Sequence, residues 1–296
     1  MDGLLTVSRL VNDDNNYRLE KLVSRFKLHN RLVIAMTYLS VSADLGYVSS
    51  IGWDSKLVVS RIDLKDSIPK VAIVGQCKLL TKATCILSLI DDESGLPVFL
   101  TGRTDSSLLS MFTLFGEIGS ETLVEVAKLS LNDAEFSSHS FYPMTMASVG
   151  NSRVSIGTNE VPFMRLITVE VPSIREAVKI PEGDLLDRLR RISDDHNDAS
   201  IMRDRIVSNL DSFTPQDKYS SPIVLGRGRR EGVWIMGDDG IVRGFDLKRG
   251  EVVEEMRSEG GRIKSGFVGD IGGDGPETDG TEVVVSCGID GVAMWR

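Results

Sequence analysis

The segment from Gly269 to Glu282 sets five acids, Asp270, Asp274, Glu277, Asp279 and Glu282, among glycines with no intervening base. Oxygen-rich, flexible loops of this composition are what calcium takes as ligands. They are also what a solvated connection between two strands looks like, and that plainer reading is the expectation: no metal, with a cation held by Asp270, Asp274 and Asp279 as the alternative. A second cluster, Arg227, Arg229 and Arg230, lies between Gly226 and Glu231. No aromatic residues interleave it as base stacking would require, and a net charge of -9 disfavours phosphate-backbone binding. The arginines are therefore expected in a hairpin tip, as a solvated turn or a contact for an acidic protein partner, rather than on nucleic acid. Catalytic patterns are missing: there is no Gly-x-Ser-x-Gly elbow, His-Glu-x-x-His, phosphate-binding loop or dinucleotide fingerprint. Cys77, Cys85 and Cys287 stand at no metal-ligand spacing and read as small apolar side chains in a reducing compartment. No enzyme, no cofactor and no small-molecule substrate are expected.

Those residues sit in a chain of 296 residues, 41% hydrophobic and 26% charged, which is the composition of a folded globular protein. Disorder, collagen and coiled coil are excluded. Apolar runs such as Leu32–Met36 and Ile223–Leu225 end far short of the roughly 20 residues that cross a bilayer. The opening residues Met1–Arg9 carry no basic and apolar regions of the signal-peptide kind. An intracellular protein, cytoplasmic or nuclear, is expected, without a membrane span.

The elements that must carry these groups come from an internal repeat. A β-rich strand, a turn with Gly followed by Asp or Asn, and a second β-rich strand recur over Tyr47–Ile62, Val98–Phe112, Val154–Ile167, Gly232–Phe245 and Val283–Trp295. Each reads as a hairpin, with the glycine supplying positive φ and the acid capping the turn. The turn glycines Gly52, Gly102, Gly157, Gly237 and Gly288 are separated by 50, 55, 80 and 51 residues. Strand-like runs precede each hairpin, for example Leu19–Phe26 and Arg31–Leu39, so each unit of roughly 50 residues carries four strands, the pattern of a propeller blade. Five units follow, over 18–64, 70–115, 122–171, 205–249 and 251–295, with Leu4–Leu10 as a spare strand that could close the ring on the last blade, belong to a sixth blade or be left over from a longer parent protein. The chain is thus expected to be all-β, one β-propeller domain over 1–296 with about five to seven four-stranded blades.

The long third step holds an insertion at about 172–220. Within it, Leu185, Leu186, Leu189 and Ile192 fall on one helical face behind Asp184 as cap, which predicts a short helix over 184–192. So short a helix is unstable alone and must bury that face, with a protein partner as the expected cover and the propeller's own side as the alternative.

The hairpins Ser50-Ile-Gly-Trp-Asp with Val58-Val-Ser-Arg-Ile, and Ser286-Cys-Gly-Ile-Asp with Val292-Ala-Met-Trp-Arg, resemble the ends of WD-repeat blades. The Gly-His pair of that family is absent, and its Trp-Asp ending survives only as Trp295. The resemblance implies a propeller that serves as a non-enzymatic scaffold or subunit, as in ubiquitin-ligase receptors, ribosome-assembly factors and chromatin complexes. It further implies that His29, which precedes Asp44 by 15 residues, joins a His and Asp network bracing a turn, whereas His139 and His196 have no partner in the pattern. Trp53, Trp234 and Trp295 are expected to pack between blades. The acidic segment is similar instead to calcium loops of FG-GAP propellers, where Asp270 and Asp274 would be ligands; Gly272 stands at the third ligand position. That similarity implies the alternative function, a calcium- or ligand-binding propeller.

Overall fold

The structure, a computed structural model, describes all residues except 1–2, 14–15, 133–140, 151, 181–182, 196–198, 218, 229–230, 259–260, 272–280, 290 and 296. β1 (Leu4–Asp13) and β2 (Asn16–Lys27) form a two-stranded ribbon. β3 (Val33–Ser42), β4 (Leu45–Gly52), β5 (Lys56–Asp63) and β6 (Lys70–Lys78) make a four-stranded sheet in chain order. β7 (Ala83–Ile90), β8 (Pro97–Arg103), β9 (Leu108–Phe115) and β10 (Thr122–Ser130) make the next, with the three-residue β14 (Ser200–Met202) beyond β10. β11 (Pro143–Val149), β12 (Arg153–Thr158) and β13 (Phe163–Glu170) are joined by β15 (Ile206–Pro215) after two helices, α1 (Ile174–Ala177) and α2 (Leu185–Asp195). The fourth sheet is β16 (Ile223–Gly226), β17 (Gly232–Met236), β18 (Ile241–Asp246) and β19 (Glu251–Arg257). The last holds β20 (Ile263–Ile271), β21 (Thr281–Gly288) and β22 (Val292–Trp295). The chain divides into two compact units, one of residues 1–104, 110–128 and 173–200, the other of 105–109, 129–172 and 201–296.

All five expected hairpins pair antiparallel, as β4–β5, β8–β9, β12–β13, β17–β18 and β21–β22. In the first four sheets they are the central strands. β8 is buried at every position and β17 likewise, whereas the outer strands β3 and β6 are mostly exposed or half-buried. Strands covered on both faces must be apolar along their whole length, which is why these segments stand out in the sequence.

The blade boundaries fall one strand later than the sequence spacing places them. Leu19–Phe26 does not open the first blade; it pairs with β1 in register Leu10↔Leu19 and Leu5↔Phe26. β1 is accordingly a ribbon strand and not a partner of the last sheet. The insertion also ends earlier, because β15 pairs with β13 and is the fourth strand of its sheet. A second helix accompanies the expected one: Ser173 caps α1 by accepting the Glu176 N–H at 3.2 Å. The Ser-x-x-Glu spacing that announces such a cap was there to be read.

Of the expected turn glycines, Gly52, Gly157 and Gly237 are required by close approach and not by positive φ. The residues with left-handed backbone in the turns are Ser55, Asp105 and Gly240. A Cβ on Gly52 would meet His29 Nδ1 at 2.5 Å and Asp54 Oδ1 at 2.7 Å, so the position has room only for glycine. Neighbouring sheets pack face to face within each unit. Ile51, Leu57 and Val59 meet Phe99, Phe112 and Leu114 in one, and Met164 and Leu166 meet Val233, Ile235 and Phe245 in the other.

Candidate functional site

The ribbon carries an exposed apolar face. Its base is anchored: Leu5 and Leu28 pack against Val58 of β5, and the Gly3 carbonyl accepts the Leu28 and His29 N–H groups at 2.9 and 3.1 Å. Beyond that base, no residue of Ser8–Asp13 or Asn16–Lys21 is buried. The pairs Leu10↔Leu19 and Asn12↔Tyr17 are two residues apart and therefore share a face. On that face Leu10, Leu19 and Tyr17 are 64%, 71% and 65% exposed. The other face is charged, with Arg9 beside Glu20 at 3.9 Å and Arg18 bonded to Asp13 at 2.9 Å. A two-stranded ribbon is marginal in water without a cover for its apolar face, and burying each of those side chains would contribute about 1.5–3 kcal/mol. Sequence reading missed this site because it assigned the two strands to different places.

The helical insertion is docked on its own unit. The Ile174 N–H donates to Asp91 Oδ1 at 3.3 Å, and Arg175 meets Glu93 at 3.4 Å, both acids lying in the turn between β7 and β8. In α2, Asp184 caps by accepting the Leu186 N–H at 2.9 Å. Leu185 and Leu189 are buried and Ile192 is half-buried, so this chain already covers much of the apolar stripe; Leu186 remains 40% exposed.

Arg227 is not a solvated tip. Its side chain is 4% exposed and donates to Glu282 Oε2 from Nε at 3.2 Å and from Nη2 at 2.9 Å. Glu254 stands 3.8 Å from the same guanidinium, which stacks 4.4 Å from the Trp234 ring centroid. Arg227, which by sequence could meet an acidic partner, thus finds its acids within the second unit. Arg229 and Arg230 lie outside the described residues, as do Asp274 and Asp279 of the acidic segment and His139 and His196. Asp270, at the end of β20, is exposed. Among the described residues no group of three or more His, Cys, Asp or Glu is placed to hold a metal ion.

His29 does brace a turn, with a different acid. Its Nδ1 lies 2.9 Å from Asp54 Oδ1 and its Nε2 2.9 Å from Ser50 Oγ, and the ring is fully buried. Asp44, the partner expected from spacing, lies in another turn, where its backbone N–H donates to Ser42 Oγ at 3.4 Å. Burial alone would raise the pKa of Asp54, but the Asn30 N–H, the His29 hydrogen bond and the His29 charge together hold it below the usual carboxylate value. Trp234 and Trp295 pack in the core between the last two sheets. Trp53 is 49% exposed at its turn, with the Lys82 ammonium 4.6 Å from its ring centroid. Burial pushes the Cys77 and Cys85 thiols up to about 12, so neither is a ready nucleophile.

Four-stranded antiparallel sheets in chain order, packed face to face, are the parts of a β-propeller. The family described as "UCP007778, beta-propeller domain" matches residues 1–273, and the chain belongs to that family. It is an all-β propeller of five blades with two helices. The chain is 25% identical over 244 residues to "Uncharacterized protein YGR117C" of Saccharomyces cerevisiae, covering 76% of this chain and 48% of that relative. It therefore spans about half the length of the curated relative it matches. Among solved structures it is similar to Sqt1 of Saccharomyces cerevisiae, with a TM-score of 0.57 at 10% identity, over 99% of this chain and 66% of that one. That likeness concerns the fold. No helix among the described residues is long and apolar enough to cross a membrane.

Proposed function

We propose that the protein is a non-enzymatic interaction module, a propeller whose ribbon docks a protein partner on its apolar face. The observation that carries this reading is the sharing of one ribbon face by Leu10, Leu19 and Tyr17, all more than 60% exposed, above a charged opposite face. A rigid base with an amphipathic ribbon is the arrangement expected of an anchor that enters an apolar groove on another protein. WD-type blade architecture is part of the proposal, supported by the His29, Ser50 and Asp54 network at the first turn. On that reading the protein is a subunit of an intracellular assembly, and the exposed Leu186 edge of α2 offers a second, smaller contact.

The test compares wild type with Leu10→Lys/Leu19→Lys, both purified from native cells under the same tag. The double variant changes only exposed positions, so its melting temperature should match wild type within measurement error while its stoichiometric partners are lost. Full partner recovery with the folded double variant would refute the ribbon as the docking element.

A further inference from the structure

The first unit contains a cavity of about 290 Å³ lined by Cys77, Lys78, Arg103, Ser110, Glu125 and Lys128, with apolar side chains completing its wall. Arg103 is 8% exposed, and its Nε is buried without a hydrogen-bond partner among the described residues. Arg243 Nε is likewise unpartnered, but Arg103, unlike the other buried arginines, reaches no carboxylate among the described residues. Arg227 reaches Glu282 at 2.9 Å and Arg243 reaches Asp239 at 2.7 Å. A buried guanidinium without a carboxylate is costly unless something else supplies the opposite charge.

The rest of the wall does not supply it. Glu125, the single acid among the described residues of the wall, stands 4.0 Å from Lys128. Burial and the neighbouring Glu125 push the Cys77 thiol up to about 12, so it stays neutral. Lys78 is exposed at the mouth. Three cationic side chains against one anionic make a concave, positively charged site in a chain whose net charge is -9. A volume of about 290 Å³ is at the small end for ligand cavities, large enough for a tetrahedral oxyanion with a short substituent.

We infer that this cavity binds the phosphate group of a small molecule, with the Arg103 guanidinium as its main anchor and Lys78 closing over it. Guanidinium forks match phosphate oxygens bidentately, and the surplus of two positive charges in the wall suits a dianion. The site is separate from the ribbon, so its occupancy does not depend on partner docking.

Isothermal titration with inorganic phosphate, then with glycerol 3-phosphate, tests it at constant ionic strength on wild type, Arg103→Met and Lys78→Met. Wild type should bind at least one of the two saturably, Arg103→Met should bind neither, and Lys78→Met should bind at least threefold more weakly. Equal affinity for the two probes identifies the free ion as sufficient, whereas tighter binding of the ester identifies a phosphomonoester. Because Arg103 Nε has no hydrogen-bond partner among the described residues, Arg103→Met should melt no lower than wild type in phosphate-free buffer. Absence of saturable binding by wild type, unchanged binding in Arg103→Met, or a large loss of stability in that variant without ligand would each overturn the inference. Should Arg103→Met fail to fold, that failure counts as the last of these, and unchanged binding in Lys78→Met would overturn the role given to Lys78.

Discussion

Replacing Arg227 by Met should destabilise the second unit strongly, and the size of the effect follows from what the side chain holds. The guanidinium makes two hydrogen bonds to Glu282, at 3.2 and 2.9 Å, and stacks on Trp234. Charge-assisted bonds contribute about 1.5–3 kcal/mol each, and the stack about 1–2 kcal/mol when partly desolvated. These do not add. Removing the cation also leaves Glu282, 20% exposed with its Oε1 already lacking a partner, as an uncompensated charge. The net loss for breaking one side of such a pair is about 3–5 kcal/mol, on the order of 10 °C in melting temperature for a chain of this size. Thermal melts of Arg227→Met, Glu282→Met and the double variant, followed by circular dichroism, measure it. Each single variant should fall by that amount, and the double variant should recover most of it, since neither charge is then left alone. An Arg227→Met protein melting within a degree of wild type would refute the reasoning and return Arg227 to the surface, where a partner could use it.

His29→Ala removes hydrogen bonds to both Ser50 and Asp54 in a buried position and should cost about 2–3 kcal/mol in urea unfolding, with slope m unchanged. Asp54 titrates below its ordinary value in the folded state, so the stability it contributes is present above an unfolded pKa of about 3.9. That stability should be lost as pH falls through the lower folded value, and Asp54→Asn should flatten this acid limb of the stability curve. Leu189→Asp, at a fully buried site, should lower the melting temperature sharply, while Leu186→Asp, at an exposed one, should leave it within about 0.5 kcal/mol of wild type. Calcium should not raise the melting temperature; a site filled at 100 times its dissociation constant would add about 2.7 kcal/mol, and a rise lost in Asp274→Ala would establish the calcium-binding alternative.

The central hairpins were legible because their strands are covered on both faces. β8 and β9, buried at nearly every position, have no polar alternation to disguise them. The blade phase was harder to read. Leu19–Phe26 has the composition of an outer blade strand, and only its pairing with β1 in the folded chain shows otherwise. Arg227 shows the same limit at a side chain. Its carboxylate partner is 55 residues away in sequence, so three nearby arginines looked like a free patch. His29 was assigned a role correctly and an acid wrongly, since spacing within a unit does not say which turn a side chain reaches. Gly52, Gly102, Gly157 and Gly288 fall within strand ends and not in the turns, and at positions such as Gly52 the need for glycine is contact distance. Neither the exposed ribbon face nor the cavity at Arg103 leaves a local mark, because both are defined by what fails to cover or to pair with a residue.

Hydrogen exchange of residues 8–21 in the free protein and in its purified native complex tests most directly the claim that this propeller acts through its ribbon. Free, the distal ribbon should exchange quickly, since its hydrogen bonds are solvent-exposed and unsupported by packing. In the complex, amides around Leu10 and Leu19 should be protected at least tenfold while β8 and β9 stay unchanged. A complex in which the ribbon exchanges as fast as in the free protein, with protection appearing elsewhere, would contradict the account.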